Sequence, residues 1–462
     1  MLEQRTTRRL QASWIVRLFV VLALLEAGSS HLYAAITDNG IHPPPTTGPY
    51  AYNTFSPGAA GFPALGGTYV DPVFGSTIRR LTDIGANRGE DDSYAHNWCN
   101  ANGTYCFYTG RSKSPVSILN STTGAVAYSG QPIGVATYEI FWHPTDPDKY
   151  FYWSGSSLRR RNLSAQTDTT MKTFPATLQT NGGSLNTVDR TGRYFTVRYG
   201  GTNKVWDSQT DTIYANAVTP LDSGGWVAIT PDGNYLVTAA GGTGTPQKEH
   251  HSYAINHGTR TISTTPTQFW GLCGDHGVLV SASNGKNYLV TFNCHANAGV
   301  WRVDITLNQA GRTEAQQNAD NLLLIPTRFG STNDGHLTSV QVGPNANWIF
   351  YDSENFSNDP YNGGVLGWVA YNQEVMAANV LTGEIRRLAH HRSRGLTSSG
   401  VAYYAQPRIS CSWDGSVVIW ASNMNISSPT GYADIYVINN PLGASGGGDT
   451  TPPAAPVNLH IE

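Results

Sequence analysis

Charge is scarce in this chain of 462 residues: Asp, Glu, Lys and Arg make up 13% of it, about half the share in an average soluble protein. The formal net charge is only −3, and the one basic run is Arg159-Arg160-Arg161. This argues against a nucleic acid as the main partner, and the arginine run reads as a solvated strand face. Long apolar runs are missing too. Leu18 to Leu25 is too short to span a bilayer, and no other segment reads as a membrane span. Five cysteines are too few for a disulfide-dense scaffold. No Gly-x-Ser-x-Gly nucleophile elbow joins a strand to a helix, and there is no phosphate-cradling loop and no His-Glu-x-x-His.

What the chain has at its start is an export pattern. Arg5, Arg8, Arg9 and Arg17 precede or flank the short apolar run, and His31-Leu32-Tyr33-Ala34-Ala35 offers a small-residue cleavage site. Residues 1–35 are thus expected to be a signal peptide and the mature protein to be extracytoplasmic, secreted or periplasmic. The cysteines suit an oxidising compartment. Cys99 and Cys106 flank Asn102-Gly103 and would face each other across a hairpin, while Cys273 and Cys294 bracket another. Cys411 is left over and reads as a buried strand residue.

Glycine (49), Tyr (24) and Trp (12) are abundant, and they recur in a repeat. Each unit has a β-run, a tight turn usually carrying Asn or Asp with Gly, a second run mostly led by an aromatic, and two further runs. The first pair spans Tyr94 to Tyr108 and the second Tyr138 to Tyr152. Later copies centre on Thr191-Gly192, Asp232-Gly233, Asn284-Gly285, Pro344-Asn345 and Asp414-Gly415. Alternating apolar residues around Asn-Gly or Asp-Gly turns are a strong hairpin cue. Seven such units predict an all-β chain, a seven-bladed β-propeller of four-stranded antiparallel blades over residues 69–442. Val73 to Thr82 would close the ring beside Ile435 to Ile438. Residues 36–68 read as a lead-in segment, and 443–462 as a Gly/Pro-rich linker and tail.

Blade topology sorts the polar residues by face. Innermost strands start on the face that also carries the connections between second and third strands. His276 lies twelve residues before Tyr288, and His336 lies twelve before Trp348. Gln406 lies nine before Gly415, as His276 lies nine before Gly285. This shared register places His276, His336 and Gln406 at the mouth of one channel. Two imidazoles and an amide oxygen suit a divalent metal ion such as Mn or Zn. His250 and His251 fall in a second-to-third-strand connection on the same rim, where an imidazole can serve as general base. Arg198 ends a second strand and could pair with a carboxylate through a forked hydrogen bond. His96, His390, His391, Arg392 and Arg394 are further candidates there, for substrate binding. His143 and His257 sit near opposite-face turns and read as structural. A glycosidase pair would draw first on Glu354, Asp352, Asp275 and Glu139.

Five stretches stand out: Gly274-Asp275-His276-Gly277, Asp334-Gly335-His336, Arg387-Leu388-Ala389-His390-His391-Arg392, Tyr404-Ala405-Gln406-Pro407-Arg408 and Trp413-Asp414-Gly415. On these motifs the chain resembles secreted bacterial seven-bladed propellers similar to oligogalacturonate lyases, best over residues 270 to 440. The resemblance implies a divalent metal held by His276, His336 and Gln406, with His251 or His250 as base. The implied reaction is β-elimination on a uronic-acid glycan, with an acidic polysaccharide or oligosaccharide as partner. The lyases it resembles place further histidines shortly after the glutamine, whereas Pro407 to Cys411 contain none. The expectation is a secreted, monomeric polysaccharide lyase. The alternatives are a non-catalytic propeller that binds glycan or protein, and a glycoside hydrolase.

Overall fold

A computed structural model describes residues 36–83, 97–108, 116–133, 140–179, 187–222, 225–240, 249–272, 276–327, 333–355, 368–395, 405–426 and 432–443. Its strands form seven antiparallel sheets of three to five strands arranged as the blades of a propeller. The expected uniform four-stranded blade holds for three of them, such as Gly277–Ser281, Asn287–Asn293, Gly299–Asp304 and Leu322–Ile325 in blade 5. Blade 4 gains a fifth strand because Thr267–Trp270 also pairs with His250–Asn256.

The predicted ring closure is present. Thr77–Arg80 adds to Asp434–Asn439 with Arg79 opposite Val437 and Arg80 opposite Tyr436, and Thr68–Val70 extends the same sheet. Asp434 is the buried anchor of that seam. Its Oδ2 accepts from Arg80 Nε at 3.0 Å and Nη2 at 2.9 Å, and its Oδ1 accepts from Thr82 Oγ1 at 3.0 Å.

The repeated turn glycines have two reasons to be glycine. Gly103 and Gly415 hold φ of +70° and +71°, which side chains resist. A Cβ at Gly415 would also strike Val340 of blade 6, and one at Gly103 would strike Ser416 and Val417 of blade 7. Each turn is thus seated against the preceding blade. Aromatic rings fill the seams: Phe107 of blade 1 stacks on Trp142 of blade 2 at 4.3 Å. Phe151 of blade 2 meets Phe195 of blade 3 edge-on at 5.2 Å.

Among the described residues one short helix, Glu314–Asp320, interrupts the all-β pattern before the outer strand of blade 5. Thr313 and Gln316 cap it reciprocally, a Thr-x-x-Gln signature readable in the sequence. Cys99 and Cys106 form the expected disulfide. Cys294 is also disulfide-bonded, while its expected partner Cys273 lies outside the described residues. Cys411 is free and buried. No helix among the described residues is long and apolar enough to cross a membrane. The expected signal peptide and the tail beyond Gly443 also lie outside the described residues.

Candidate functional site

The site is built on the first hairpin of blade 6. Asn333–Ser339 pairs with Trp348–Asn355, so His336 is not the first residue of its strand but its fourth. His336 lies directly opposite Asp352. Because side chains alternate along a strand, Asp352 and Glu354 both project on the face that carries His336. His336 Nδ1 lies 2.8 Å from Glu354 Oε1 and 3.8 Å from Asp352 Oδ1. All three residues are buried.

Their ligand atoms lie within 4.8 Å of one another. Burial alone would lower the His336 pKa, but the Glu354 and Asp352 carboxylates outweigh it and raise it to about 10. A cation bound there would displace that proton, and a neutral imidazole with two carboxylates is a donor set suited to a divalent cation of the Mn or Zn kind.

His276 of blade 5 stands beside this cluster, its ring centroid 5.0 Å from that of His336. Its Nδ1 lies 3.2 Å from the carbonyl oxygen of Gly335. A carbonyl only accepts, so Nδ1 carries the hydrogen and Nε2 carries the lone pair in the neutral ring. Gly335 lets its strand lie close against Trp348–Asn355, since a Cβ there would strike the Asp352 carbonyl and the Tyr351 ring. Gln406 is buried three residues before Ile409, whose N–H donates to Asp352 Oδ2 at 2.7 Å. Beyond Gln406, Ile409 and Cys411 are fully buried. Burial pushes the Cys411 thiol up to about 12, despite hydrogen bonds with Thr338 and Asn97. It is a packed thiol.

The other expected site residues are distributed as follows. On blade 4, His250 is fully buried near Trp226 and Phe269, with ring distances of 6.3 and 6.0 Å. His251 is partly exposed, and its Nε2 lies 3.0 Å from Glu249 Oε2. Arg198 is half-buried near the end of its strand in blade 3, where its carbonyl accepts from Gln179 N at 2.8 Å.

His390, His391 and Arg392 are buried, and protein groups hold them. His390 Nε2 donates to the His42 carbonyl at 2.9 Å, and Arg392 donates to the Tyr50 carbonyl at 3.1 Å. His391 Nε2 donates to the Ser353 carbonyl at 2.9 Å while its Nδ1 accepts from Ser393 N at 3.1 Å. The lead-in segment therefore takes up much of the polar surface that the sequence assigned to substrate. Arg394 likewise donates to Asn53 Oδ1 at 2.9 Å. His96, Asp275 and Glu139 lie outside the described residues. His143 and His257 are structural: His143 Nδ1 accepts Asp146 N at 3.1 Å, and His257 bridges Tyr214 and the Gly233 carbonyl at 2.9 and 3.1 Å.

Asp352 and Glu354 carry a signal that sequence reasoning considered only for a glycosidase pair. The Asp-x-Glu spacing on a strand puts both carboxylates on one face, and the hairpin register puts that face against His336.

The ring of seven blades is a fold that the chain shares with solved oligogalacturonate lyases. The chain is similar to an oligogalacturonate lyase in complex with manganese, with a TM-score of 0.52 and 15% identity, covering 81% of this chain and 95% of that one. It is also similar to oligogalacturonate lyase from Vibrio parahaemolyticus, with a TM-score of 0.50 and 11% identity, covering 80% of this chain and 96% of that one. The likeness is one of fold. No family model and no curated protein matches the chain.

Proposed function

We propose that this protein is an exported polysaccharide lyase that cleaves a uronic-acid-containing glycan by metal-assisted β-elimination. One observation carries the reading: the buried His336–Asp352–Glu354 cluster, with His276 beside it, on a propeller of oligogalacturonate-lyase fold. The manganese in the lyase of similar fold supports a divalent cation here. His336 and Glu354 would hold it, with His276 and Gln406 as the further ligands. Bound there, the cation would offset the uronate carboxylate charge and so acidify the C5–H.

The chain's own residues account for the rest. His251, partly exposed and paired with Glu249, is better suited than the buried His250 to take the C5 proton, because the carboxylate stabilises the imidazolium that results. Loss of the C4 leaving oxygen then leaves an unsaturated sugar. Arg198 would contribute a guanidinium to a substrate carboxylate. The N-terminal charge and apolar pattern, together with the Cys99–Cys106 disulfide, supports export.

A second reading, a glycan-binding propeller without catalysis, is favoured by one feature: Pro407 to Cys411 contain no histidine to add to the ligand set after Gln406. A hydrolase is less well supported, since Asp352 and Glu354 are engaged by His336 and by backbone amides rather than forming an acid–base pair.

Purified full-length chain, with Mn²⁺, should raise ultraviolet absorbance on pectic, ulvan-type or glucuronan polymers as unsaturated ends form. His276→Ala and His336→Ala should each abolish the signal. A flat trace on every uronate polymer, with metal present, would leave binding as the better account.

A further inference from the structure

Asp352 falls within the metal-type cluster by distance, but its hydrogen bonds give it a different task. Its Oδ1 accepts the backbone N–H of His336 at 2.7 Å, and its Oδ2 accepts the backbone N–H of Ile409 at 2.7 Å. His336 belongs to the innermost strand of blade 6, whereas Ile409 immediately precedes Ser410–Cys411, the innermost strand of blade 7. The carboxylate is fully buried between them. Hydrogen bonds to an ionised acceptor are short and roughly twice as strong as neutral ones, so one side chain ties two blades together at the rim. Gln406 lies three residues before Ile409 on the tied stretch.

We propose that Asp352 is a positioning residue: it holds the Gln406–Ile409 stretch of blade 7 against His336 of blade 6, and so sets the cation affinity of the rim. Glu354, not Asp352, is then the carboxylate of the cluster that serves as a ligand. The inference rests on the metal reading given above.

The test titrates Mn²⁺ alone into the purified full chain and reads free Mn²⁺ by electron paramagnetic resonance. Wild type should bind, and Asp352→Asn should bind about tenfold more weakly, as expected when a supporting partner of a ligand is lost. Asp189→Asn is the control for stability. Asp189 is also buried, and its Oδ1 accepts the N–H groups of Arg193 and Tyr194 at 2.8 Å each, in a turn on the opposite face. Its Mn²⁺ affinity should match wild type.

Gln406→Ala, made in both backgrounds, isolates the coupling. It should weaken binding in wild type and cost much less in Asp352→Asn, where Gln406 is already released. Equal binding by Asp352→Asn and wild type, or an equal cost of Gln406→Ala in both backgrounds, overturns the positioning role and leaves the metal reading standing. Absence of Mn²⁺ binding by wild type removes both. If Asp352→Asn does not fold, amide exchange in wild type decides instead: the amides of Gln406, Arg408 and Ile409 should exchange more slowly once Mn²⁺ is added, and unchanged exchange overturns the proposal.

Discussion

A single buried carboxylate can decide how two distant segments meet, and Asp71 does so at the edge of blade 6. Its Oδ1 accepts from the N–H groups of Val73 and Phe74 at 2.9 Å each, and its Oδ2 accepts from His390 N at 3.0 Å. The strand leading to ring closure is thereby fastened to the end of Ile385–His390. Burial works to raise the Asp71 pKa, but His390, Arg392 and the Phe74 amide outweigh it and bring it down to about 2, against an ordinary 3.8. A folded pKa below the unfolded one stabilises above the unfolded value and is lost as pH falls through the folded one. Asp71 should therefore contribute about 2 kcal/mol at neutral pH, declining between about pH 4 and about pH 2. Urea unfolding of wild type and Asp71→Asn across that window checks it: the gap in stability should narrow as the solution is acidified. A gap that stays constant would mean the carboxylate acts by shape alone.

At the scale of an element, the first hairpin of blade 6 carries the whole His336–Asp352–Glu354 cluster. Its register runs without a break from Asn333 opposite Asn355 to Ser339 opposite Ile349. A slip of one residue would turn Asp352 and Glu354 to the opposite face. Gly335 guards that register from inside the sheet, because a Cβ would meet the Asp352 carbonyl and the Tyr351 ring. Gly335→Ala should cost about 1–3 kcal/mol by overpacking. Gly285→Ala should cost less, since its Cβ would meet nothing within 4 Å and only its φ of +80° opposes the change. Thermal melts of the two variants rank them, and equal shifts would contradict the packing argument.

At the scale of the molecule, the ring is held shut by a strand from near its start paired with one near its end. Asp434 and Arg80 form a buried ion pair at 2.9 Å across that seam, with Tyr432 and Thr82 completing the carboxylate's hydrogen bonds. Removing one partner strands the other charge. Asp434→Ala should thus cost about 3 kcal/mol, and Arg80→Ala added to it should cost little more, since the lost interaction is shared. Denaturant unfolding of the two single variants and the double variant measures this. Full additivity would place the closure elsewhere, in the strand pairing itself.

Much of the architecture was legible in the chain because its causes are local. An Asn-Gly or Asp-Gly turn between alternating apolar runs makes a hairpin wherever it stands, so the blade count, the ring-closing strand and the Cys99–Cys106 pair could be read without coordinates. The nearness of His276 and His336 was readable too, since their strands share one register in successive blades. The partners of those residues were not legible. That His336 meets Glu354, that Asp352 reaches Ile409, and that the lead-in segment covers His390 and Arg392 depend on ladder registers and on segments hundreds of residues apart. Turn chemistry acts over a few neighbouring residues and is written in the sequence by itself. The company a buried polar side chain keeps is settled only when blades close on one another, because each donor and acceptor must then find its partner within the space that packing leaves.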